Sequence, residues 1–295
     1  MAGCFRITLK EKDKPYLLDG PMGTELDRRG ADTSLPLWSS RALMKNPDLV
    51  RTIHEDYIIA GADIITTNTF RTQERTLLNA GFNALKGKEL TNLAVELAIE
   101  AKKNSNKPVL IAGSIAPLED CYSPHLVPED HILIDEFPKM INQLAESGVD
   151  IFLIETMNTF REARQAYLAT KEYPDIPVIL SFTCATNGSV LGSDPWSTVL
   201  EYFTNKVELI SVNCSSIEGS NNAINVLNSN RNISWGVYPN FGEVDVLKGW
   251  KSGLIDKVFE SSIENWLKYK PRLIGTCCGA TPSETAKIRK LIDKF

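Results

Sequence analysis

The chain has 295 residues, of which 43% are hydrophobic and 23% charged, an ordinary composition for a globular protein. Its net charge of -5 excludes the large basic surface that a nucleic-acid-binding protein needs. No apolar run approaches the length of a membrane span, and the first residues lack the apolar segment of a signal peptide. We therefore expect a cytoplasmic protein without nucleic-acid or membrane partners.

The cysteine content adds to this expectation. In a reducing cytoplasm, cysteines are thiols or metal ligands and do not form a disulfide framework. The six cysteines are Cys4, Cys121, Cys184, Cys214, Cys277 and Cys278. Two of them are adjacent, which raises the question of what both sulfurs face.

Eight short apolar runs recur along the chain, each followed by a stretch with helical spacing. Continuous apolar runs without strict alternation are typical of strands buried on both faces of a parallel sheet. In chain order the predicted strands cover residues 16–20, 63–68, 109–114, 150–156, 177–183, 208–214, 234–240 and 272–278.

The stretches between the runs carry helix-start signals. Asn46 precedes a proline and an amphipathic run, which predicts a helix with Asn46 as its N-cap. Thr159 with Glu162, and Thr281 with Glu284, have the spacing of a capping box. Helices therefore alternate with the predicted strands.

Eight strand–helix units predict an α/β protein with a single (β/α)8 barrel of the TIM type, forming one domain over residues 1–295. A doubly wound open sheet is the alternative, and the even spacing of the units favours the barrel. The carboxyl ends of barrel strands form the active face. The residues at those ends are Asp19, Asn68, Ser114, Glu155, Thr183, Cys214, Asn240, Cys277 and Cys278.

Three of these residues are cysteines at the ends of the sixth and eighth strands. Neighbouring side chains of a strand point to opposite faces, so Cys277 and Cys278 can share a partner only if the chain leaves the strand there. Gly279 permits that turn. Together with Cys214 they would suit a tetrahedral zinc site with one open position, while the alternative is a set of buried thiols without metal.

Seven motifs, spread over nearly the whole chain, resemble the homocysteine S-methyltransferase family in sequence and in order. They are DGPMGTEL at 19–26, TTNTF at 66–70, GSIAP at 113–117, ETMNTFREA at 155–163, VNCSS at 212–216, YPNFGE at 238–243 and GTCCGATP at 275–282. The asparagine–cysteine pair followed by the double cysteine is the most specific part. The resemblance implies a (β/α)8 barrel and zinc-dependent methyl transfer to homocysteine, which gives methionine.

The resemblance also implies roles for individual residues. By it, Cys214, Cys277 and Cys278 are the zinc ligands and the catalytic residues, and the homocysteine sulfur takes the fourth position. A zinc-bound thiol loses its proton, so no separate general base is needed.

The same resemblance implies how the amino-acid part of homocysteine is held. Asp19 and Glu155 would bind its ammonium group, and backbone N–H groups after Gly20 would bind its carboxylate. Asn68 and Asn213 would orient zinc or substrate. From the residues alone, Asp19 could instead be a turn residue and Glu155 a member of a structural ion pair.

Departures from the family pattern bear on the methyl donor. Arg71 stands where the betaine-using branch has a tyrosine, and Thr276 stands where the family usually has a glycine. The long C-terminal extension of the betaine-using branch, and folate- or cobalamin-binding domains, are not seen in the sequence. We therefore expect S-methylmethionine or S-adenosylmethionine as the donor.

Other readings stay open. Betaine or a methyl carrier could be the donor, or another thiol the acceptor, and a non-catalytic zinc- or thiol-binding barrel is a further alternative. A barrel aldolase or phosphate-handling lyase would need a lysine at a strand end or a glycine-rich phosphate loop, and neither is present.

Residues 116–131 form a polar loop that we expect to act as a lid. Cys121 in this loop is not an expected ligand, and Trp38 could line the pocket or serve packing.

Overall fold

The structure, a computed structural model, covers most of the chain. It describes residue 9 and residues 13–230, 232–245, 249–251 and 256–295. Cys4, one of the predicted thiols, lies outside the described residues.

Eight parallel strands form one sheet, one at each of the eight predicted apolar runs. The third and fourth strands extend one residue beyond the predicted run, and the other six lie within theirs. The first seven are β1 (Tyr16–Leu17), β2 (Ile64–Thr66), β3 (Leu110–Ile115), β4 (Ile151–Met157), β5 (Val178–Phe182), β6 (Leu209–Asn213) and β7 (Trp235–Tyr238). An antiparallel hairpin that the sequence did not predict follows, with strands β8 (Glu243–Asp245) and β9 (Gly249–Lys251). The eighth sheet strand is β10 (Leu273–Ile274).

Helices connect successive strands, as predicted. They are α1 (Met22–Arg28), α2 (Arg41–Lys45), α3 (Pro47–Ile59), α4 (Glu74–Asn79), α5 (Ala84–Ser105), α6 (Asp130–Ser147), α7 (Phe160–Ala169), α8 (Trp196–Phe203), α9 (Ile217–Ser229), α10 (Asp256–Lys268) and α11 (Pro282–Lys294). In the part of the chain that the structure describes, no helix combines the length and apolar character required to cross a bilayer.

The predicted helix starts are confirmed in position but only partly in their capping. The side chain of Asn46 makes no capping hydrogen bond, although α3 begins at the predicted proline. Thr159 accepts a hydrogen bond from the Glu162 N–H, but the Glu162 carboxylate binds the Leu118 N–H instead of closing the box. Thr281 forms the complete capping box with the residue three positions on.

The sheet closes on itself between its first and second strands. Leu18 forms a parallel bridge with Ile64. The Asp19 N–H donates to the Ile64 carbonyl at 2.9 Å, and the Asp63 N–H donates to the Leu17 carbonyl at 2.8 Å. The predicted (β/α)8 barrel is therefore confirmed, and the open doubly wound sheet is excluded.

Side chains of the strands alternate between two apolar clusters. In β4, Ile151 and Leu153 belong to the cluster inside the barrel, whereas Phe152 and Ile154 belong to the larger cluster between sheet and helices. Both faces are thus buried, which explains why the runs are continuously apolar. The interior is filled, so a ligand can enter only at an end of the barrel.

Asp63 allows a test of the contacts that close the barrel between β1 and β2. Its Oδ2 accepts a hydrogen bond from the Leu17 N–H at 2.9 Å and one from Arg289 at 2.6 Å. We expect Asp63→Ala to lower the free energy of unfolding by about 1–3 kcal/mol, because the Leu17 N–H loses its acceptor and Arg289 loses its nearer carboxylate. Urea titration measures this loss.

Asp293→Ala is the matched control. Asp293 also pairs with Arg289, at 3.6 Å, but it is exposed. Its removal should change stability by no more than about 0.5 kcal/mol. Equal losses for both variants would contradict a special role of Asp63 in closure.

Candidate active site

A cavity of about 600 Å³ opens at the carboxyl ends of the barrel strands. This volume is in the usual range for a small-molecule site. Its walls include residues from both sides of the barrel. Those at strand ends include Asp19, Thr66, Asn68, Ser114, Glu155, Thr156, Cys214, Tyr238, Cys277 and Cys278.

Three sulfur atoms converge in this cavity. The Sγ atoms of Cys214, Cys277 and Cys278 all lie within 4.8 Å of one another. Cys214 follows β6 with a φ of +46°, and β10 ends at Ile274, before the cysteine pair. Gly279 has a φ of +89°. The prediction that the chain leaves the strand at the cysteine pair is therefore confirmed.

Hydrogen bonds hold both cysteine segments in place. The Cys277 N–H donates to the Pro239 carbonyl at 2.7 Å, and the Cys214 N–H donates to the Tyr238 carbonyl at 3.3 Å. The Tyr122 hydroxyl donates to the Cys214 carbonyl at 3.2 Å, from the loop after β3. The sulfurs are thus positioned by backbone contacts on both sides.

The structure joins Cys214 and Cys277 in a disulfide, and Cys278 remains a thiol. For Cys214 and Cys277 the prediction of reduced cysteines is therefore wrong in this structure. The reason is geometric, since the two strand ends bring the Cα atoms to 5.5 Å, a usual separation for disulfides.

The same three residues fit a zinc ion when reduced. Tetrahedral zinc with bonds of about 2.3 Å to sulfur requires sulfurs about 3.8 Å apart, and all three Sγ atoms lie within 4.8 Å of one another. Three cysteines leave the fourth position for a ligand, as catalytic zinc sites do. Burial raises the pKa of the Cys278 thiol to about 12, so at neutral pH it carries its proton unless a cation displaces it.

Asp19 is a buried carboxyl group in the wall of the cavity, 4% exposed. It accepts hydrogen bonds from the Thr66 N–H at 2.8 Å and the Thr66 hydroxyl at 2.9 Å. Burial, with a smaller contribution from Glu155, nevertheless raises its pKa to about 8. The turn-residue alternative does not account for a carboxyl group buried in this way.

Glu155 lies across the barrel from Asp19. The Ser114 hydroxyl donates to it at 2.5 Å, and burial raises its pKa to about 7. An irregularity in the pairing of β4 and a φ of +59° at Thr156 turn both Glu155 and Thr156 toward the cavity. No salt bridge of Glu155 occurs among the described residues, so the two acids are suited to a cationic group that enters the cavity.

Gly20 lies in the wall beside Asp19 because a side chain has no room there. A Cβ at Gly20 would lie 2.6 Å from the ring of Tyr57. The next residue is Pro21, which has no N–H, so the first backbone donors after Gly20 belong to Met22 and its neighbours at the start of α1.

The two predicted asparagines occupy different positions. Asn68 lines the cavity, donates to the Ser39 carbonyl at 2.9 Å, and has a buried Oδ1 without a hydrogen-bond partner among the described residues. Asn213 does not line the cavity. Its amide binds Thr156 and Ser181, so it holds strand ends together beneath the site.

Several cavity residues were missed or left open by sequence reasoning. The predicted lid loop contributes Asp120, Cys121 and Tyr122 to the wall, but Cys121 is not among the three clustered sulfurs. Trp38 both lines the cavity and packs, with its ring 5.7 Å from that of Phe70. In the sequence, only the unusual length of the loop after β3 could have indicated that Tyr122 reaches the cavity.

The sequence profile of the family described as homocysteine S-methyltransferase matches residues 16–292. The chain is 27% identical to homocysteine S-methyltransferase YbgG of Bacillus subtilis, over 92% of each chain. It is 31% identical to homocysteine S-methyltransferase 2 of Arabidopsis thaliana, over 96% of this chain and 94% of the relative. It is also 29% identical to a selenocysteine methyltransferase of Astragalus bisulcatus, with the same coverage.

Solved structures of a homocysteine methyltransferase are also similar to this chain. The homocysteine methyltransferase MmuM of Escherichia coli in its oxidized form has a TM-score of 0.84 at 26% identity, covering 98% of this chain and 99% of that one. Its metallated form has a TM-score of 0.83 at 26% identity, covering 95% and 96%. The similarity extends over the whole barrel, including the strands that carry the three cysteines.

The raised pKa of Asp19 predicts how stability depends on pH. The folded protein holds the Asp19 proton up to about pH 8, whereas the ordinary pKa of the group is 3.8. Between these values the folded state binds more protons than the unfolded state, so stability falls as the pH rises. In Asp19→Asn this fall should be smaller, measured as the urea midpoint of the metal-free protein at pH 5 and pH 8.

Asp27→Asn is the control, because Asp27 lies at the same cavity but is exposed. It should show the full fall seen in the unaltered protein. If Asp19→Asn behaves like Asp27→Asn, Asp19 does not hold its proton in the folded state.

Proposed function

Since the chain belongs to the homocysteine S-methyltransferase family, whose members transfer a methyl group to a thiol, we propose that it methylates homocysteine at a zinc site formed by Cys214, Cys277 and Cys278. The product would be methionine. We further propose a sulfonium compound, S-methylmethionine or S-adenosylmethionine, as the methyl donor. That residues 1–295 act as one domain, in the cytoplasm, stays a prediction from the sequence.

One observation carries this proposal: three sulfurs and two buried acids meet in a single cavity. The metallated form of the similar Escherichia coli enzyme supports a metal at this site. The disulfide between Cys214 and Cys277 must be reduced first, because only thiolates bind the metal. The oxidized form of the same relative agrees with such a second state.

When bound, zinc would supply a Lewis acid that keeps a fourth sulfur deprotonated at neutral pH. The three cysteines would hold the ion at the wall of the cavity. The protein needs no general base here, and within the described residues no histidine lines the cavity. His54 is fully buried and burial lowers its pKa to about 4, so it is a neutral packing residue.

The two acids would hold the ammonium group of homocysteine. Near neutral pH Asp19 is mostly protonated and Glu155 is about half protonated, since their pKa values are about 8 and about 7. An ammonium group between them favours the ionised forms and lowers both pKa values. The carboxylate would bind at the backbone N–H groups that follow Gly20, and Asn68 would accept a hydrogen bond through its free Oδ1.

The transfer itself needs positioning more than proton movement. The electron pair of the acceptor sulfur forms the new bond to the methyl carbon, and the bond from that carbon to the donor sulfonium breaks. The leaving thioether is neutral, so it requires no acid. The residues of the cavity therefore act by aligning the two sulfurs and excluding water.

Metal analysis tests the ligand set. We expect the purified, reduced protein to hold about one zinc per chain and Cys214→Ser to lose most of it, because two thiolates bind zinc far less tightly than three. Cys184→Ser is the control, since Cys184 is buried away from the cluster. Unchanged zinc content in Cys214→Ser would overturn the assignment.

Product analysis tests the reaction and the donor. Zinc-loaded protein and homocysteine are incubated separately with S-methylmethionine, S-adenosylmethionine, betaine and methyltetrahydrofolate, with selenocysteine as a second acceptor in parallel. We expect methionine with a sulfonium donor and none with betaine. Turnover with betaine alone would contradict the donor, and no turnover in any tube with zinc bound would contradict the reaction.

A further inference from the structure

Arg71 stands out among the residues of the cavity by its charge. It follows Phe70 in the segment after β2, is partly buried, and lines the cavity. Among the described lining residues it is the one cation. The lining carboxyl groups are Asp19, Asp27, Asp120 and Glu155.

The guanidinium group is held in place without being neutralised. It stacks on the ring of Phe70, with its carbon 5.6 Å from the ring centroid, and its Nη1 donates to the Glu119 carbonyl at 3.3 Å. The carboxylate of Glu119 is bound elsewhere, to Arg75 at 3.0 Å. Arg75 in turn binds Glu136 at 2.6 Å.

Arg71 therefore has no carboxylate partner among the described residues. Five N–H groups are available on an arginine, and one serves the carbonyl contact. The others form a planar fork, suited to a carboxylate that it binds with two parallel hydrogen bonds. A fixed, unpaired guanidinium in a cavity wall is thus a preformed site for an anionic group.

Arg71 lies in a different part of the cavity wall from the two buried acids. The contact of Arg71 with the Glu119 carbonyl places it against the lid loop. Tyr122 of the same loop lines the cavity and donates to the Cys214 carbonyl. Asp19 and Glu155 lie at the strand ends, and Glu155 adds to the raised pKa of Asp19. The acid pair and the cation therefore occupy different parts of the cavity wall.

We propose that Arg71 binds the carboxylate of the methyl donor, so that the enzyme selects a small sulfonium compound that carries a carboxylate. This subsite rests on the proposed function, in which the acid pair holds the ammonium group of homocysteine. The donor then lies on the open side of the acceptor sulfur, with its carboxylate against the fork and its methyl group toward the sulfurs.

A donor without the carboxylate tests this subsite. We compare S-methylmethionine with its decarboxylated analogue, (3-aminopropyl)dimethylsulfonium, using zinc-loaded protein and homocysteine. In Arg71→Gln, kcat/KM for S-methylmethionine should fall roughly 10- to 100-fold, the usual effect of losing a charged hydrogen bond. The value for the analogue and the KM for homocysteine should be unchanged.

Arg164→Gln is the matched control. Arg164 also stacks on an aromatic ring, at 5.5 Å from the centroid of Tyr202, but it is exposed on α7 and does not line the cavity. It should leave both donors unaffected. Arg71→Lys, which keeps the charge but loses the planar fork, should recover part of the lost kcat/KM.

Equal losses with both donors, or a raised KM for homocysteine, would overturn the proposal, because Arg71 would then serve general structure or the acceptor. Calorimetry of S-methylmethionine binding separates this result from a failure of the proposed function. If no methyl transfer occurs, weaker binding to Arg71→Gln than to the unaltered protein still supports the subsite. Equal binding, or no binding to either protein, overturns it.

Discussion

The cavity exists because the eight parallel strands close on themselves between Leu18 and Ile64. In the order of the sheet, β1 and β4 are five strands apart, which would separate their ends by about 24 Å in an open sheet at about 4.8 Å per strand. Closure instead brings both residues into the wall of one cavity, where Glu155 adds to the raised pKa of Asp19. The acid pair is thus a product of closure.

Closure of the barrel alone does not determine which side chains face the cavity. A regular strand points neighbouring side chains to opposite faces, and two residues of the cavity wall depart from that geometry. Thr156 and Cys214 have φ values of +59° and +46°, a conformation that residues with a side chain adopt at a cost of about 1–2 kcal/mol. The surrounding barrel keeps them there, since the Asn213 amide binds Thr156 and the Tyr122 hydroxyl binds the Cys214 carbonyl. Such local strain is common at functional sites.

The ionisable groups of the cavity wall lack oppositely charged partners among the described residues. Burial raises the pKa values of Asp19 and Glu155 to about 8 and about 7, and Arg71 has no carboxylate partner among the described residues. An amino acid that carries both an ammonium group and a carboxylate would complement such a surface. The cysteine cluster lines the same cavity and has the opposite requirement, since its thiols become thiolates only beside a cation.

By itself, the sequence determined the repeat of strands and helices, the polar strand ends and the identity of the three cysteines, because buried parallel strands and helix starts have local signatures that do not depend on distant residues. The position of Glu155 at the mouth follows from the same signatures. Only the tertiary structure decided that Cys214 and Cys277 come within bonding distance, that Asn213 serves the strand ends and not the cavity, and that Tyr122 reaches Cys214. These contacts join residues far apart in the chain, and their geometry depends on closure and on backbone turns that no local pattern encodes. Only the tertiary structure likewise decided that Arg71 is available to a ligand, because Arg75 binds the carboxylate of Glu119.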